Sequence, residues 1–523
     1  MTQRAMNLAQ FLTQTARRLP ERTALVHGAT RWSWRELDER VSALAHALRE
    51  RGVDSGDCVL IHGVNHLEYV QSLFAIWRVG AVIAPTNVRL TAPDVAGIAR
   101  TCRPVAMLCG DDYREYADAV RSEIDLPAGV LWLGAPAEEP DSIAAQTVVT
   151  DTANAPVRNG DHAWYFFTSG TSGAPKAAVL THDQMGFVVT NHLCDLMPGT
   201  TEGDVSLVVA PLSHGAGIHL LPQVAAGAAS VLTTSPKLDG GEIWELVERE
   251  CVTNMFTVPT ILKLLSEHPD VHTRDHSSLR YVIYAGAPMY EADQRHAREV
   301  LGDVLVQYYG LGEVTGNITV LPPRLHNHPR PAGVEIGTCG VPRTGIQVSI
   351  QDDGGSELPP GTQGEICVSG PAVCAGYLDN DAANSSAFRD GWFRTGDLGL
   401  LDEYGFLYVT GRASDMYISG GSNVYPRDIE EKLLQHPAVS ECAVLGMPDA
   451  VWGEVGVAVC VPSAGNDIDV AELTRWLGTR VARYKLPRHI FVWDEIPKSG
   501  YGKIVKRTIR SALEESSWPP VAS

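Results

Sequence analysis

A chain of 523 residues exceeds what one hydrophobic core ordinarily organises, so two or more domains are expected. The composition, 44% hydrophobic and 20% charged, is ordinary for a globular protein, and no internal repeat or low-complexity segment interrupts it. With 62 acidic against 42 basic residues, a formal net charge of −20, a nucleic-acid partner is excluded, whereas one bound nucleotide needs only a local cluster of donors.

The first third alternates helix-like and strand-like segments. Residues 34–51 (WRELDERVSALAHALRER) place apolar side chains at helical spacing and stop at Gly52. CVLIH (58–62) reads as a buried strand, 66–79 as a second helix, and 81–85 and 105–109 as further strands. The pattern resumes at 206–211, 230–233 and 281–285. Short apolar runs between amphipathic helices predict an α/β fold: a large N-terminal domain of α/β subdomains with mostly parallel sheets. After Gly411 the texture changes to a glycine-rich turn, a helix over 427–435, strands over 441–446 and 455–461, a helix over 471–482 and a strand over 490–493. This predicts a small α+β C-terminal domain, with 1–412 and 413–523 as the two units.

The ten cysteines are scattered singly, with no CxxC pair, as in reduced thiols of a cytosolic protein. Residues 1–20 lack the apolar run of a signal peptide, and no stretch approaches the roughly 18 apolar residues of a membrane span. A soluble, cytoplasmic protein is expected.

The strongest chemical signal is TSGTSGAPK, Thr168, Ser169, Gly170, Thr171, Ser172, Gly173 and on to Lys176, behind the apolar run 164–167. Glycines and small hydroxyl residues after a strand offer successive backbone N–H groups that can ring a phosphate, and Lys176 adds a point charge. The loop is not the GxxxxGK[ST] of kinase-type enzymes, since Lys176 lies between Pro175 and Ala177. Further on stand Tyr308-Tyr309-Gly310-Leu311-Gly312-Glu313, WFRTGD ending at Asp397, Gly411-Arg412, the pair Gly420-Gly421, and PKSGYGK ending at Lys503.

These motifs, in this order and across nearly the whole chain, resemble the adenylate-forming superfamily of acyl-CoA synthetases, aryl-CoA ligases, luciferases and adenylation domains, and are closest in type to acyl-CoA synthetases. The resemblance implies ATP, Mg²⁺ and coenzyme A as cofactor and co-substrates, with a small carboxylic acid as partner. It assigns the loop 168–173 and Lys176 to the phosphates, and Gly286, Ala287 and Pro288 to the adenine edge. It further assigns Tyr309 to adenine stacking, Glu313 to Mg²⁺, and Asp397 and Arg412 to the ribose region. Gly420 and Gly421 match a thiol tunnel, Lys503 the catalytic lysine that bridges carboxylate and α-phosphate, and His214 in PLSHGAG the substrate gate. Ser414 matches the hinge of a mobile C-terminal domain.

Three positions depart from the family pattern. Ala177 replaces a glycine, its methyl expected to be accommodated. Gly312 replaces a threonine that contacts the α-phosphate, so that donor is missing or supplied by Thr315 or a water. Ser414 replaces Asp or Lys at the hinge. The acid pocket is expected around Phe187, His214, Phe256, Tyr284 and 310–317, segments without Lys or Arg, which favours a bulky uncharged aromatic, medium-chain or polycyclic acid. A carrier-protein acceptor, a luciferase-like oxygenase and a homodimer stay open as alternatives.

Overall fold

The computed structural model describes residues 3–168, 176–235, 237–334, 336–419, 422–449, 452–498 and 504–516. Local chemistry sets its helices. Trp34–Glu50 begins at a capping box, with the Ser33 side chain accepting from Glu36 N–H and Glu36 returning to the Ser33 N–H. Leu67–Val79 is capped by His66 and ends on Gly80 at φ +88°, a left-handed cap that glycine adopts at little cost.

Two large sheets carry the N-terminal part. The six-stranded sheet runs Lys176–Thr181, His162–Thr168, Val82–Thr86, Cys58–His62, Ala106–Gly110, Val130–Leu133, with only the first pair antiparallel. The nine-stranded sheet has a parallel centre, Leu305–Tyr309, Tyr281–Tyr284, Asn254–Thr257, Val205–Val208, Ala229–Leu232, Thr23–His27, and antiparallel strands at both edges. Both are buried on two faces, hence the near-continuous apolar strands. One core unites helices Ala9–Arg18, Trp34–Glu50, Leu67–Val79 and Gly215–Ala226 with the facing sides of both sheets.

A third sheet, wholly antiparallel, was not anticipated. It comprises Gln347–Gln351, Gly364–Ser369, Trp392–Leu401, Phe388–Arg389 and Leu407–Arg412. Its strands are half-exposed and interrupted by bulges, so they lack the strong apolar signature of the parallel ones. The last strand ends at Arg412, and the next sheet starts at Tyr417. Between them Ser414 is exposed in a turn, its hydroxyl 3.4 Å from Asp415 Oδ1. The fourth sheet, Ser422–Val424, Tyr417–Ser419, Gly453–Pro462, Val439–Asp449 and His489–Val492, is covered by helices Pro426–Leu433, Val470–Gly478 and Lys506–Glu515. It meets the N-terminal part through Arg427, which donates to Val409 O at 2.7 Å, and Tyr290, which donates to Glu430 at 3.3 Å.

Candidate active site

Parallel strands place their carboxyl ends, and the loops that follow, along one edge. Tyr284 pairs with Gln307, so Gly286-Ala287-Pro288 and Tyr309 leave the nine-stranded sheet side by side. Gly286 has φ +86°, which requires glycine there even though a Cβ would find room. The antiparallel pair His162–Thr168 and Lys176–Thr181 opens at Thr168↔Lys176. Ser169, Gly170, Thr171, Ser172 and Gly173 lie outside the described residues, as do Gly420, Gly421 and Lys503.

Three sheets converge on one carboxylate and one aromatic ring. Glu313, 6% exposed, accepts on Oε1 from Thr168 Oγ1 at 3.0 Å and from Tyr377 OH at 3.0 Å, while its carbonyl accepts from Cys374 N–H at 2.7 Å. The Lys176 ammonium stands 5.4 Å from the centre of the Tyr377 ring. Tyr309 donates to Asp397 Oδ2 at 2.7 Å, and Arg412, register partner of Asp397 across two strands, reaches Oδ1 at 3.1 Å. Burial, and then the Asp397 carboxylate, push the Tyr309 phenol well above its usual range, so it stays a donor. Thus Thr168, Lys176, Tyr309, Glu313, Asp397 and Arg412 form two linked groups, whereas Ser414 lies in the exposed turn beyond Arg412.

His214 ends the strand-to-helix connection into Gly215–Ala226. Its Nδ1 is 3.1 Å from Ser213 Oγ, and its ring meets Phe166 edge-on at 5.1 Å. Burial drives its pKa down to about 3, so it is neutral at physiological pH.

Each departure has a physical account. Ala177 is buried in a strand and its methyl is accommodated in the core. At Gly312 a Cβ would lie 2.5 Å from Phe166 Cε1, so the aromatic ring fills the space a threonine side chain needs. Thr315 does not substitute as a donor: its backbone is left-handed at φ +51°, and its hydroxyl donates to Val314 O at 2.6 Å. Tyr284, expected in the acid pocket, lies on the other sheet face. Alternation along Tyr281–Tyr284 sends its ring into the second core, where it donates to Gln307 at 3.1 Å, while Phe256 and Tyr308 face the first.

Two side chains of this region were not singled out in the sequence. Tyr377 approaches Glu313 across 64 residues, and Arg343 is buried beside Tyr308. No local motif marks either.

Among the described residues no group of three or more metal-type ligands exists, and Glu313 is the carboxylate that would be offered to Mg²⁺. That fits a cation whose remaining shell is phosphate oxygen and water. Both hydrogen bonds to Glu313 fall on Oε1, and they orient the carboxylate.

Comparison with known proteins agrees with this geometry. The AMP-binding enzyme family matches residues 12–378, and the AMP-binding enzyme C-terminal domain matches 428–503. A feruloyl-CoA synthase of Amycolatopsis sp. is 37% identical over 511 residues, covering 97% of this chain and 99% of that protein. An indoleacetate–CoA ligase of Aromatoleum aromaticum is 33% identical over 522 residues, covering 98% and 99%. The solved structure of ATP-bound MatB from Rhodopseudomonas palustris superposes with a TM-score of 0.86 at 29% identity, covering 98% of this chain and 100% of that one. The chain belongs to the AMP-binding enzyme family, and it is an adenylate-forming enzyme of the acyl-CoA ligase type.

Proposed function

We propose that the protein activates an aromatic carboxylic acid with ATP and transfers the acyl group to coenzyme A. The observation that carries this reading is the pair of hydrogen-bonded groups Thr168–Glu313–Tyr377 and Tyr309–Asp397–Arg412, Tyr309 and Glu313 standing four residues apart on one connection, together with a neutral His214. Within the broader range of bulky uncharged acids, the names of the relatives similar to this chain, a feruloyl-CoA synthase and an indoleacetate–CoA ligase, favour an aromatic one.

In the first step a carboxylate oxygen attacks the α-phosphorus of ATP, the bond to the β-phosphate breaks, and pyrophosphate leaves. The Tyr309 ring and the 286–288 backbone hold adenine, and Asp397, oriented by Arg412, accepts from the ribose hydroxyls. Thr168, Lys176 and the loop 169–173 bind the phosphates. Glu313 would hold Mg²⁺, which would supply neutralising charge to the triphosphate. Lys503 bridges the two anions that must approach each other.

In the second step a thiol sulfur attacks the adenylate carbonyl carbon and AMP leaves. The unit 413–523 pivots at Ser414, withdraws Lys503 and brings Gly420 and Gly421 to the thiol path. His214, neutral, presents a hydrogen-bonding imidazole there instead of a charge.

Nucleotide chromatography tests the reading. AMP and pyrophosphate are expected in strict dependence on an aromatic acid, and thioester only with coenzyme A. ADP as the sole nucleotide product overturns it.

A further inference from the structure

Five residues after His214, the same helix carries a second buried imidazole. His219 stacks on Phe256, with centroids 4.2 Å apart and planes at 10°, and lies 5.7 Å from Tyr308. His192 meets it edge-on at 4.6 Å. Arg343, 1% exposed, closes the layer, its guanidinium carbon 6.0 Å from the Tyr308 ring centre.

The polar atoms of this layer are poorly matched to one another. Val188 O lies 2.9 Å from His192 Nδ1 and can only accept, so Nδ1 carries the proton and Nε2 the lone pair. Arg343 Nη2, 3.2 Å from that same Nδ1, therefore finds no lone pair to donate to. Asp195 supplies countercharge at 3.9 Å from Nε, too far for a hydrogen bond. Among the described residues, Arg343 Nε and Nη1, His192 Nε2 and His219 Nδ1 have no hydrogen-bond partner. Buried donors and a buried lone pair left in this state are costly, and a ligand that meets both removes the cost.

A chain of packed rings leads from this layer to His214. Phe166 meets His214, a Cβ on Gly215 would lie 2.6 Å from the Phe256 ring, and Phe256 stacks on His219. On the far side, Asp195 and Thr344 border a surface pocket of about 570 Å³ with Val306, Val320 and Pro342.

We propose that His192, His219, Tyr308 and Arg343 form the distal wall of the acid pocket and select acids that carry a hydroxyl on the aromatic ring. Its oxygen accepts from Arg343 while its proton is donated to His192 Nε2. This rests on the reading of the protein as an aromatic acid–CoA ligase. A hydroxyl both donates and accepts, as the unmatched atoms demand, and brings no charge. A second carboxylate would set two anions, Asp195 and itself, against one guanidinium, because burial keeps both imidazoles neutral.

The test compares kcat/KM for pyrophosphate release with 3-phenylpropenoate, its 3- and 4-hydroxy counterparts and its 4-carboxy counterpart. Wild type should favour a hydroxylated acid by about 10²-fold or more, since a site built to hydrogen-bond a hydroxyl rejects the analogue lacking it. Arg343→Met should lower that ratio at least about tenfold, and His192→Phe, which keeps a ring in the stack, should do so independently. A ratio taken on one preparation does not depend on its folded fraction. Equal use of plain and hydroxylated acids by wild type, an unchanged ratio in both variants, or preference for the 4-carboxy acid overturns this inference alone. Failure of wild type to use any aromatic acid overturns the functional reading beneath it.

Discussion

Gly312→Thr restores the family's residue at a position where this chain has reorganised its neighbours. A Cβ there would sit 2.5 and 2.6 Å from Phe166 Cε1 and Cδ1 and 3.1 Å from Thr168 Cγ2. Carbon atoms pack at about 3.5–4.0 Å, so the overlap with the ring is on the order of 1 Å. Phe166 is confined by Trp164 at 6.0 Å and His214 at 5.1 Å between ring centres, so it cannot retreat without disturbing both. Overpacking of this kind costs about 1–3 kcal/mol. It also presses on Thr168, whose hydroxyl holds Glu313, so pyrophosphate release should fall together with stability. Phe166→Ala removes the obstacle at the cost of a cavity, which the threonine methyl and hydroxyl then partly fill. The double variant should therefore be more stable than the sum of the singles by at least about 1 kcal/mol. Urea unfolding of the four proteins, with pyrophosphate release measured on each, gives the coupling energy. Additivity within about 0.5 kcal/mol would refute the size exchange between Phe166 and Gly312.

Glu313→Gln keeps an acceptor for Thr168 and Tyr377 but removes the charge. Each hydrogen bond drops by about 1 kcal/mol, so thermal midpoints should move little, while acid-dependent pyrophosphate release falls by about 10²-fold or more. Near-wild-type turnover at saturating Mg²⁺ rejects Glu313 as the metal residue. Lys503→Ala should lose adenylate formation by ~10²–10³ yet use synthetic acyl-adenylate with coenzyme A, and Gly421→Leu should show the opposite pattern. Single-turnover assays of each half-reaction decide this, and loss of the same half-reaction in both variants refutes the pivot. Burial lowers His62, His182 and His326 to about 4 and His214 and His219 to about 3. At these five sites the unfolded chain binds up to five more protons below about pH 6.5, so their contribution to stability is full above that pH and declines towards pH 3–4. Glu431, raised by burial to about 7, works against this trend, stabilising at low pH and losing the effect as pH rises through 7. Urea midpoints between pH 4 and 8 measure the balance, and a midpoint that rises on acidification from pH 6.5 to 4.5 contradicts the histidine account.

Local signals were enough for much of this protein. The helix Trp34–Glu50 starts at the Ser33–Glu36 capping box and the strand Cys58–His62 is a fully buried apolar run, so periodicity and capping state them directly. Thr168, Tyr309, Glu313, Asp397 and Arg412 were singled out in the sequence because they stand in the short motifs that carry the family resemblance. What joins them was not legible. The Tyr309–Asp397 bond spans 88 residues, and Tyr377 reaches Glu313 across 64 residues from an isolated bridge to Ala178. The bulged, half-exposed strands of the third sheet carry little period-2 signal, so the element that delivers Asp397 and Arg412 escaped detection. Whether Tyr284 or Tyr308 faces the core shared by the two large sheets depends on which sheet face each strand position takes, which pairing and packing decide. Arg343 follows a two-residue edge strand and looks like a surface charge; only close packing of Tyr308, His192 and His219 buries it, because burial belongs to the assembled core and not to the chain around a residue.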